Sequence, residues 1–131
     1  MTRAEAVALL REHLDDSPRA AHSRLVAHIM LELAHHFRAD VPLWEVVGLC
    51  HDLDFFETAA DRQRHGLLAA EWLGGKLPEE ALAAIRVHDH RTGVRSQSLL
   101  ADMLKLADVL AVLDDIPLAG SVSVAWGMAR H

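Results

Sequence analysis

The chain has 131 residues, a formal net charge of −6 and a single cysteine, Cys50. This length suffices for one domain with its own core, the single cysteine excludes an internal disulfide framework, and the negative charge argues against a nucleic-acid-coating surface, which needs a basic face. The start Met1–Glu5 lacks a signal-peptide pattern and no apolar run has membrane-spanning length, so we expect a cytoplasmic protein without a membrane partner.

The first half of the chain predicts three helices. Alanine and leucine dominate while Gly and Pro are sparse, which favours helix over sheet. Thr2 is placed to cap a helix running to about Leu14, Ser17-Pro18 opens a second helix, and Asp40 caps a third that ends at His51-Asp52. A four-residue spacing in the second helix predicts a core stripe of Leu25, Ile29, Leu33 and Phe37.

The second half predicts three or four further helices. Residues from Leu53 to about Gln63 are expected to be irregular, with Phe55 and Phe56 in the core. A helix from about Arg64 to Leu73, ended by Gly74-Gly75, is followed by a helix that Pro78 opens and that carries Leu82, Ile85 and His88. After a turn at Thr92-Gly93, a helix capped by Ser96 or Ser98 carries Leu99, Met103, Leu106, Leu110 and Leu113. Residues Ser121 to His131 are expected to form an apolar tail or a last helix. The pattern predicts an all-α, single-domain bundle of six to seven helices over residues 1–131.

Polar residues at core-facing helix positions indicate a metal site. His22 shares a helical face with Val26 and Ile29, and Asp108 lies in the apolar run Leu104–Leu110. Buried carboxylates are nearly always paired or metal-bound. The predicted ligands are two imidazoles and two carboxylates from three helices, a set that suits Mn, Fe, Mg, Ni, Co or Zn: His22, His51, Asp52 and Asp108.

Two further histidines at helix ends extend this prediction. His65 is expected to open the fourth helix and His88 to end the fifth, where both are able to face the same cavity. With Asp52 as a bridge they would hold a second metal, giving one or two divalent ions per chain. We expect the second site to be weaker, because a helix-end position leaves the imidazole rings freer.

The other polar residues are assigned by their positions relative to these ligands. Arg19 lies one turn before His22 and Lys105 one turn before Asp108, so either cation would contact a phosphate, although Lys105 fits a surface lysine equally well. Cys50 is interpreted as a small buried apolar residue. The residues interpreted as surface groups are His13, His28, His35, His36, His131, Asp54, Glu57 and Asp89.

Five separated blocks resemble the HD-domain superfamily of metal-dependent phosphohydrolases, in particular its HDIG-like small hydrolases. They are Arg19-x-x-His22-Ser23, Gly48–Asp54 (Gly-Leu-Cys-His-Asp-Leu-Asp), Arg64–Glu71 (Arg-His-Gly-Leu-Leu-Ala-Ala-Glu), Ala84–His88 (Ala-Ile-Arg-Val-His) and Leu106-Ala107-Asp108. The resemblance implies a helical bundle with a first metal at His22, His51, Asp52 and Asp108 and, in the branch with extra histidines, a second at His65 and His88. The Gly-Tyr-Pro signature of the cyclic-dinucleotide branch is missing after His88, and Phe55 stands where that branch has lysine.

The leading interpretation is hydrolysis of a small phosphate ester or nucleotide by metal-activated water. Its catalytic residues would be Asp52 as the bridge, with Arg19 or Lys105 taking up charge on the phosphate. Two alternatives stay open, because the ligands would be the same. One is a mixed-valent di-iron oxygenase of the HD type, and the other is a non-catalytic metal-containing sensor or binding module. The expected partner is a small phosphorylated substrate, and the apolar segment around Val122 to Trp126 suggests a homodimer contact.

Overall fold

A computed structural model describes residues 1–89 and 98–113. Within these two ranges there is no strand, and the prediction of an all-α fold is confirmed. The elements are α1 (Arg3–Leu14), α2 (Pro18–Phe37), α3 (Val41–Cys50), a 3₁₀ turn (Arg62–Arg64), α4 (Leu67–Trp72), α5 (Glu79–Val87) and α6 (Leu99–Leu113). The predicted turn at Thr92-Gly93, the tail from Ser121 and the suggested dimer contact lie outside the described residues.

The caps at the helix starts agree with the sequence prediction. Thr2 Oγ1 accepts the Glu5 N–H at 3.1 Å, and the Glu5 carboxylate accepts the Thr2 N–H at 3.1 Å, which is a capping box. Ser17, Asp40 and Ser98 each accept the backbone N–H three residues further on, at 3.1–3.2 Å. These side chains satisfy N–H groups that have no partner inside the first helical turn.

Close packing of α2 against α3 forms the centre of the bundle. A Cβ atom built on Gly48 would lie 2.5 Å from the Ala27 Cα atom, so only glycine permits this approach of the two helices. Helix α6 packs against α2 and α5, and α1 packs against α3. The end of α3 therefore lies beside the first half of α2 and the middle of α6.

Helix α4 is shorter than the sequence predicts. It begins at Leu67 rather than Arg64, because Gly66 has a φ angle of 86°, which no helical residue adopts. His65 consequently lies in the turn between the 3₁₀ turn and α4, and the expectation that it opens a helix is wrong. The glycine conformation turns the chain so that the His65 side chain is buried.

Several large apolar residues lie on the surface instead of in the core. Phe37, predicted to belong to the α2 stripe, is 42% exposed, and Phe56 is 51% exposed, so both core predictions are wrong. Helix α6 buries Leu100, Ala101, Leu104, Ala107 and Ala111, whereas Leu99, Leu106 and Leu113 are exposed. The small alanine side chains bring α6 close to its neighbours, so side-chain size did not indicate its buried face.

The longest described helix is α2, with 20 residues. Neither α2 nor any other helix in the described ranges is both long and apolar enough to cross a membrane.

Candidate metal centre

The four residues of the predicted first metal site converge. His22 Nε2 lies 2.7 Å from Asp108 Oδ1, and His51 Nε2 lies 3.2 Å from the same oxygen. Asp52 Oδ2 is 3.3 Å from His51 Nε2 and 3.5 Å from His22 Nε2. One donor atom from each of these four residues lies within 4.8 Å of all the others. We call these four residues the first donor group.

A second donor group consists of Asp52, His65 and His88. Asp52 Oδ1 is 2.8 Å from His65 Nε2 and 3.3 Å from His88 Nε2. The two Nε2 atoms are 3.2 Å apart, and all three side chains are buried. Asp52 thus directs Oδ2 to the first donor group and Oδ1 to the second, which is the arrangement of a bridging carboxylate.

Two of the imidazole rings form hydrogen bonds through Nδ1, the nitrogen that points away from the donor groups, and this is the pattern of metal-binding histidines. Nδ1 of His51 lies 2.7 Å from the Gly48 carbonyl oxygen, and Nδ1 of His88 lies 2.6 Å from the Ile85 carbonyl oxygen. A carbonyl oxygen only accepts, so each Nδ1 donates a hydrogen and Nε2 is the nitrogen of each ring that would bind a cation. The expectation that a helix-end position leaves the His88 ring free is therefore wrong.

The electrostatics of the cluster favour cations. Burial lowers the pKa of His51, but Asp52 and Asp108 outweigh burial and raise it to about 10. Burial also lowers the pKa of His65, while Asp52 and Asp54 raise it to about 9. Burial raises the pKa of Asp52 and Asp108, yet the adjacent histidines hold both well below the usual value. The positive charges of protonated His51 and His65 thus offset the negative charges of Asp52 and Asp108, and a divalent ion would displace the Nε2 protons on binding.

A cavity of about 170 Å³ opens onto both donor groups. In the described part of the chain its lining is Arg19, Asp52, Phe55, His65, His88, Asp89, Asp108 and Val112. Arg19 Nη1 is 3.1 Å from Asp52 Oδ2, and the Arg19 guanidinium carbon lies 3.9 Å from the centre of the Phe55 ring. Lys105 is half-buried on α6 and is not part of this lining, so its catalytic role stays a prediction.

Two carboxylates interpreted as surface groups are buried instead. Asp54 is 0% exposed and Asp89 is 6% exposed, so both interpretations are wrong. Asp54 Oδ2 accepts the backbone N–H groups of Gly66 and Ala69, at 2.8 and 2.9 Å. The position of Asp54 two residues after Asp52 is the sequence feature that points to a role near the site. Its burial depends on the packing of the start of α4 against its side chain, which the sequence does not show.

The other interpretations of single residues mostly agree with the structure. Glu57, His28, His35 and His36 are exposed, whereas His13 is half-buried and its ring stacks on Trp72 with centroids 4.5 Å apart. Cys50 is buried, and burial raises the pKa of its thiol to about 12, in agreement with its interpretation as a small buried apolar residue. His131 lies outside the described residues.

Comparison with known proteins points to one fold. No family model and no curated protein matches the chain. The chain is similar to the crystal structure of a predicted HD superfamily hydrolase from an uncultured Thermotogales bacterium, with a TM-score of 0.69 and 27% sequence identity. The alignment covers 98% of this chain and 75% of that protein. The resemblance to the HD-domain superfamily is thereby confirmed: the chain has the fold of an HD superfamily hydrolase, and its His/Asp cluster fits an HD metal site.

Proposed function

We propose that the protein is a metal-dependent phosphohydrolase that acts on a small phosphate ester or nucleotide. The observation that carries this proposal is the division of the Asp52 carboxylate between two adjacent donor groups at the floor of one cavity. This is the geometry expected for paired metals that clamp a phosphoryl group. The likeness to an HD superfamily hydrolase supports hydrolysis as the reaction class.

The donor groups define which residues would hold the metals. His22, His51, Asp108 and Asp52 Oδ2 would hold the first ion, and His65, His88 and Asp52 Oδ1 the second. Mixed nitrogen and oxygen donors suit Mn, Fe, Co, Ni or Zn, and Mg to a lesser degree because of the histidines. When bound, such an ion supplies Lewis-acid polarisation of a phosphoryl oxygen and lowers the pKa of a coordinated water molecule.

Arg19 is the cation best placed to bind the phosphate. Its side chain is 29% exposed at the mouth of the cavity, whereas its partner Asp52 is buried. Stacking on Phe55 orients the planar guanidinium, and its N–H groups that do not face Asp52 are able to donate to phosphoryl oxygens. Lys105 is the second predicted cation, and its contribution would require its flexible side chain to reach the substrate from α6.

The cavity supports a small reacting group. Its volume of about 170 Å³ is below the range of roughly 300–1,000 Å³ that holds a drug-sized ligand. A phosphoryl group would occupy the cavity while the alcohol or nucleoside part of the ester extends outward. A cytoplasmic location and a homodimer remain predictions from the sequence.

The test combines metal analysis with activity on the same anaerobically purified protein. We expect one or two divalent ions per chain and metal-dependent phosphate release from a panel of phosphomonoesters and nucleotides, lost with a chelator and restored by metal. Glu57→Gln, which changes an exposed carboxylate, should behave as the unmodified protein. Iron with oxygen consumption would indicate an oxygenase, and full metal occupancy without phosphate release would indicate a non-catalytic module. Either result would contradict the proposal.

A further inference from the structure

The Nδ1 atom of His65 has a different environment from the Nδ1 atoms of His51 and His88. His51 and His88 donate Nδ1–H to backbone carbonyl oxygens. His65 Nδ1 lies 2.7 Å from a side-chain oxygen, Asp54 Oδ1, which is an ion-pair contact, and this buried oxygen has no hydrogen-bond partner among the described residues. A side chain can be changed by substitution, whereas a backbone carbonyl cannot. The orientation of the His65 ring can therefore be tested by substituting Asp54.

A second contact indicates which ring nitrogen of His65 keeps its hydrogen when the other nitrogen binds a cation. Thr58 Oγ1 donates its own hydrogen to the Asp54 carbonyl oxygen at 2.8 Å, and it lies 3.4 Å from His65 Nδ1. The hydroxyl can therefore only accept from the ring. A carboxylate oxygen likewise accepts, so both neighbours favour hydrogen on Nδ1, and Nε2, at 2.8 Å from Asp52 Oδ1, is the nitrogen that would give up its proton to bind a cation.

Asp54 is itself held in place by the backbone. Its Oδ2 accepts the N–H groups of Gly66 and Ala69, and the side chain is fully buried. The turn that contains His65 and the start of α4 are thus tied to the same carboxylate. Gly66 is part of this construction, because a Cβ atom there would lie 2.6 Å from the Ile85 carbonyl oxygen.

We infer that Asp54 is a positioning residue for the second metal. It holds His65 with hydrogen on Nδ1 and directs Nε2 towards Asp52 Oδ1. This inference rests on the two-metal site of the proposed function, but it concerns metal binding rather than the reaction. It assigns to Asp54 a role that a helix cap or a buried ion pair alone would not have.

The substitution Asp54→Asn separates these roles. An asparagine oxygen is able to accept the Gly66 and Ala69 N–H groups as Oδ2 does, which leaves the amide NH₂ facing His65 Nδ1. The NH₂ group donates, so the ring would keep its hydrogen on Nε2, where it blocks a metal. The variant should therefore fold normally and still bind the second ion poorly.

The experiment is calorimetric titration of the metal-free full chain with Zn²⁺, together with the melting temperature of the metal-free protein. For Asp54→Asn we expect the first Zn²⁺ to bind as in the unmodified protein and the second to bind about 10–100-fold more weakly, the usual effect of losing such a partner. Nitrogen-15 spectra at a Zn²⁺ concentration that just fills both sites of the unmodified protein should show Nε2 coordination of His65 in that protein and not in Asp54→Asn. The control Glu57→Gln, at an exposed position three residues further on, removes the same charge and should leave both affinities unchanged.

Three results would overturn the inference. In the first, Asp54→Asn binds the second Zn²⁺ with unchanged affinity, so that Asp54 only caps α4. In the second, both affinities and the melting temperature fall together, which indicates a general structural role. In the third, the unmodified protein binds a single Zn²⁺. Two bound Zn²⁺ ions without phosphatase activity would refute the proposed hydrolase and leave the role of Asp54 intact.

Discussion

The two donor groups share Asp52 but are held by different parts of the fold. Two of the four residues of the first group lie within long helices, His22 in the 20-residue α2 and Asp108 in the 15-residue α6. The second group depends on turns, because His65 precedes the six-residue α4 and His88 follows the nine-residue α5. Helix packing thus positions one group, while a glycine conformation and a buried carboxylate position the other.

Because the two groups are held differently, the sequence predicts their geometry to different extents and substitutions should affect them differently. A residue inside a long helix keeps a fixed direction relative to its periodic neighbours, as His22 does relative to Val26 and Ile29. A residue in a turn is placed by contacts with distant segments, such as those of Asp54 with Gly66 and Ala69. The first group should therefore respond to changes in helix packing, and the second to single changes in its turns.

The largest expected effect comes from the residue common to both groups. Asp52→Ala should lose both metals and reduce hydrolysis by more than about 100-fold, since even indirect ligand partners cost 10–100-fold. Metal content after dialysis and phosphate release measure this. Asp52→Asn preserves the shape of the side chain and removes its charge, so it is the control for a loss of metal that results from unfolding. A folded variant that retains two metals would show that the carboxylate does not bridge the groups.

Substitutions confined to the second group should remove one metal only. His65→Ala and His88→Ala are each expected to bind one divalent ion per chain instead of two, because the first donor group keeps all four of its residues. Metal counting after dialysis checks this. His22→Ala is the matched variant in the first group, and it should lose the other ion. If both second-group variants keep the metal count of the unmodified protein, His65 and His88 are not ligands.

Arg19→Ala tests whether substrate binding can be separated from both donor groups. A charge-assisted contact to phosphate is worth about 1.5–3 kcal/mol, so KM should rise roughly 10–100-fold while the metals stay bound. Steady-state kinetics and metal analysis measure the two effects. Arg24→Ala is the control, since Arg24 has only a weak surface ion pair with Asp16, at 3.8 Å. Loss of metal from Arg19→Ala would mean that Arg19 supports the ligands instead.

Gly48→Ala should damage the first group through the packing of α2 on α3. The new methyl group would lie 2.5 Å from the Ala27 Cα atom, and backbone cannot move aside easily. We expect a loss of about 1–3 kcal/mol in the free energy of unfolding, measured by denaturant unfolding, with weaker binding of the first metal. Gly74→Ala, where the nearest atom is at 3.2 Å, is the milder control. Equal stability of both variants would contradict this view of the interface.

The smallest expected effect is a pH dependence of the metal-free protein. The pKa values of His51, at about 10, and His65, at about 9, are raised above the ordinary 6.5, so their stabilisation is complete below about pH 6.5 and is lost as the pH rises through 9 and 10. The lowered pKa values of Asp52 and Asp108 provide stabilisation above about pH 4 that is lost in acid. Unfolding free energies measured with a chelator should therefore be highest between about pH 4 and 6.5. A steady rise towards pH 9 would contradict these pKa directions.

Local patterns in the sequence determined the helices, their caps and the membership of the first donor group. Caps at Thr2, Ser17 and Asp40 act on neighbouring backbone, and helical periodicity placed His22 towards the core, so both could be inferred without the fold. The sequence also indicated His65 and His88, through the resemblance of their blocks to an HD domain. The caps and the helical faces could be predicted because they depend on contacts or spacings within a few residues.

The construction of the second donor group depends on tertiary contacts that the sequence pattern does not contain. Asp54 is buried, and its contacts with the Gly66 backbone and with the His65 ring join residues that are 11 or more positions apart. The exposed faces of Phe37, Phe56 and α6 were decided in the same way, because burial depends on which helices are neighbours. A periodic pattern gives the direction of a side chain relative to its own helix, but it does not say which distant segment covers that side chain.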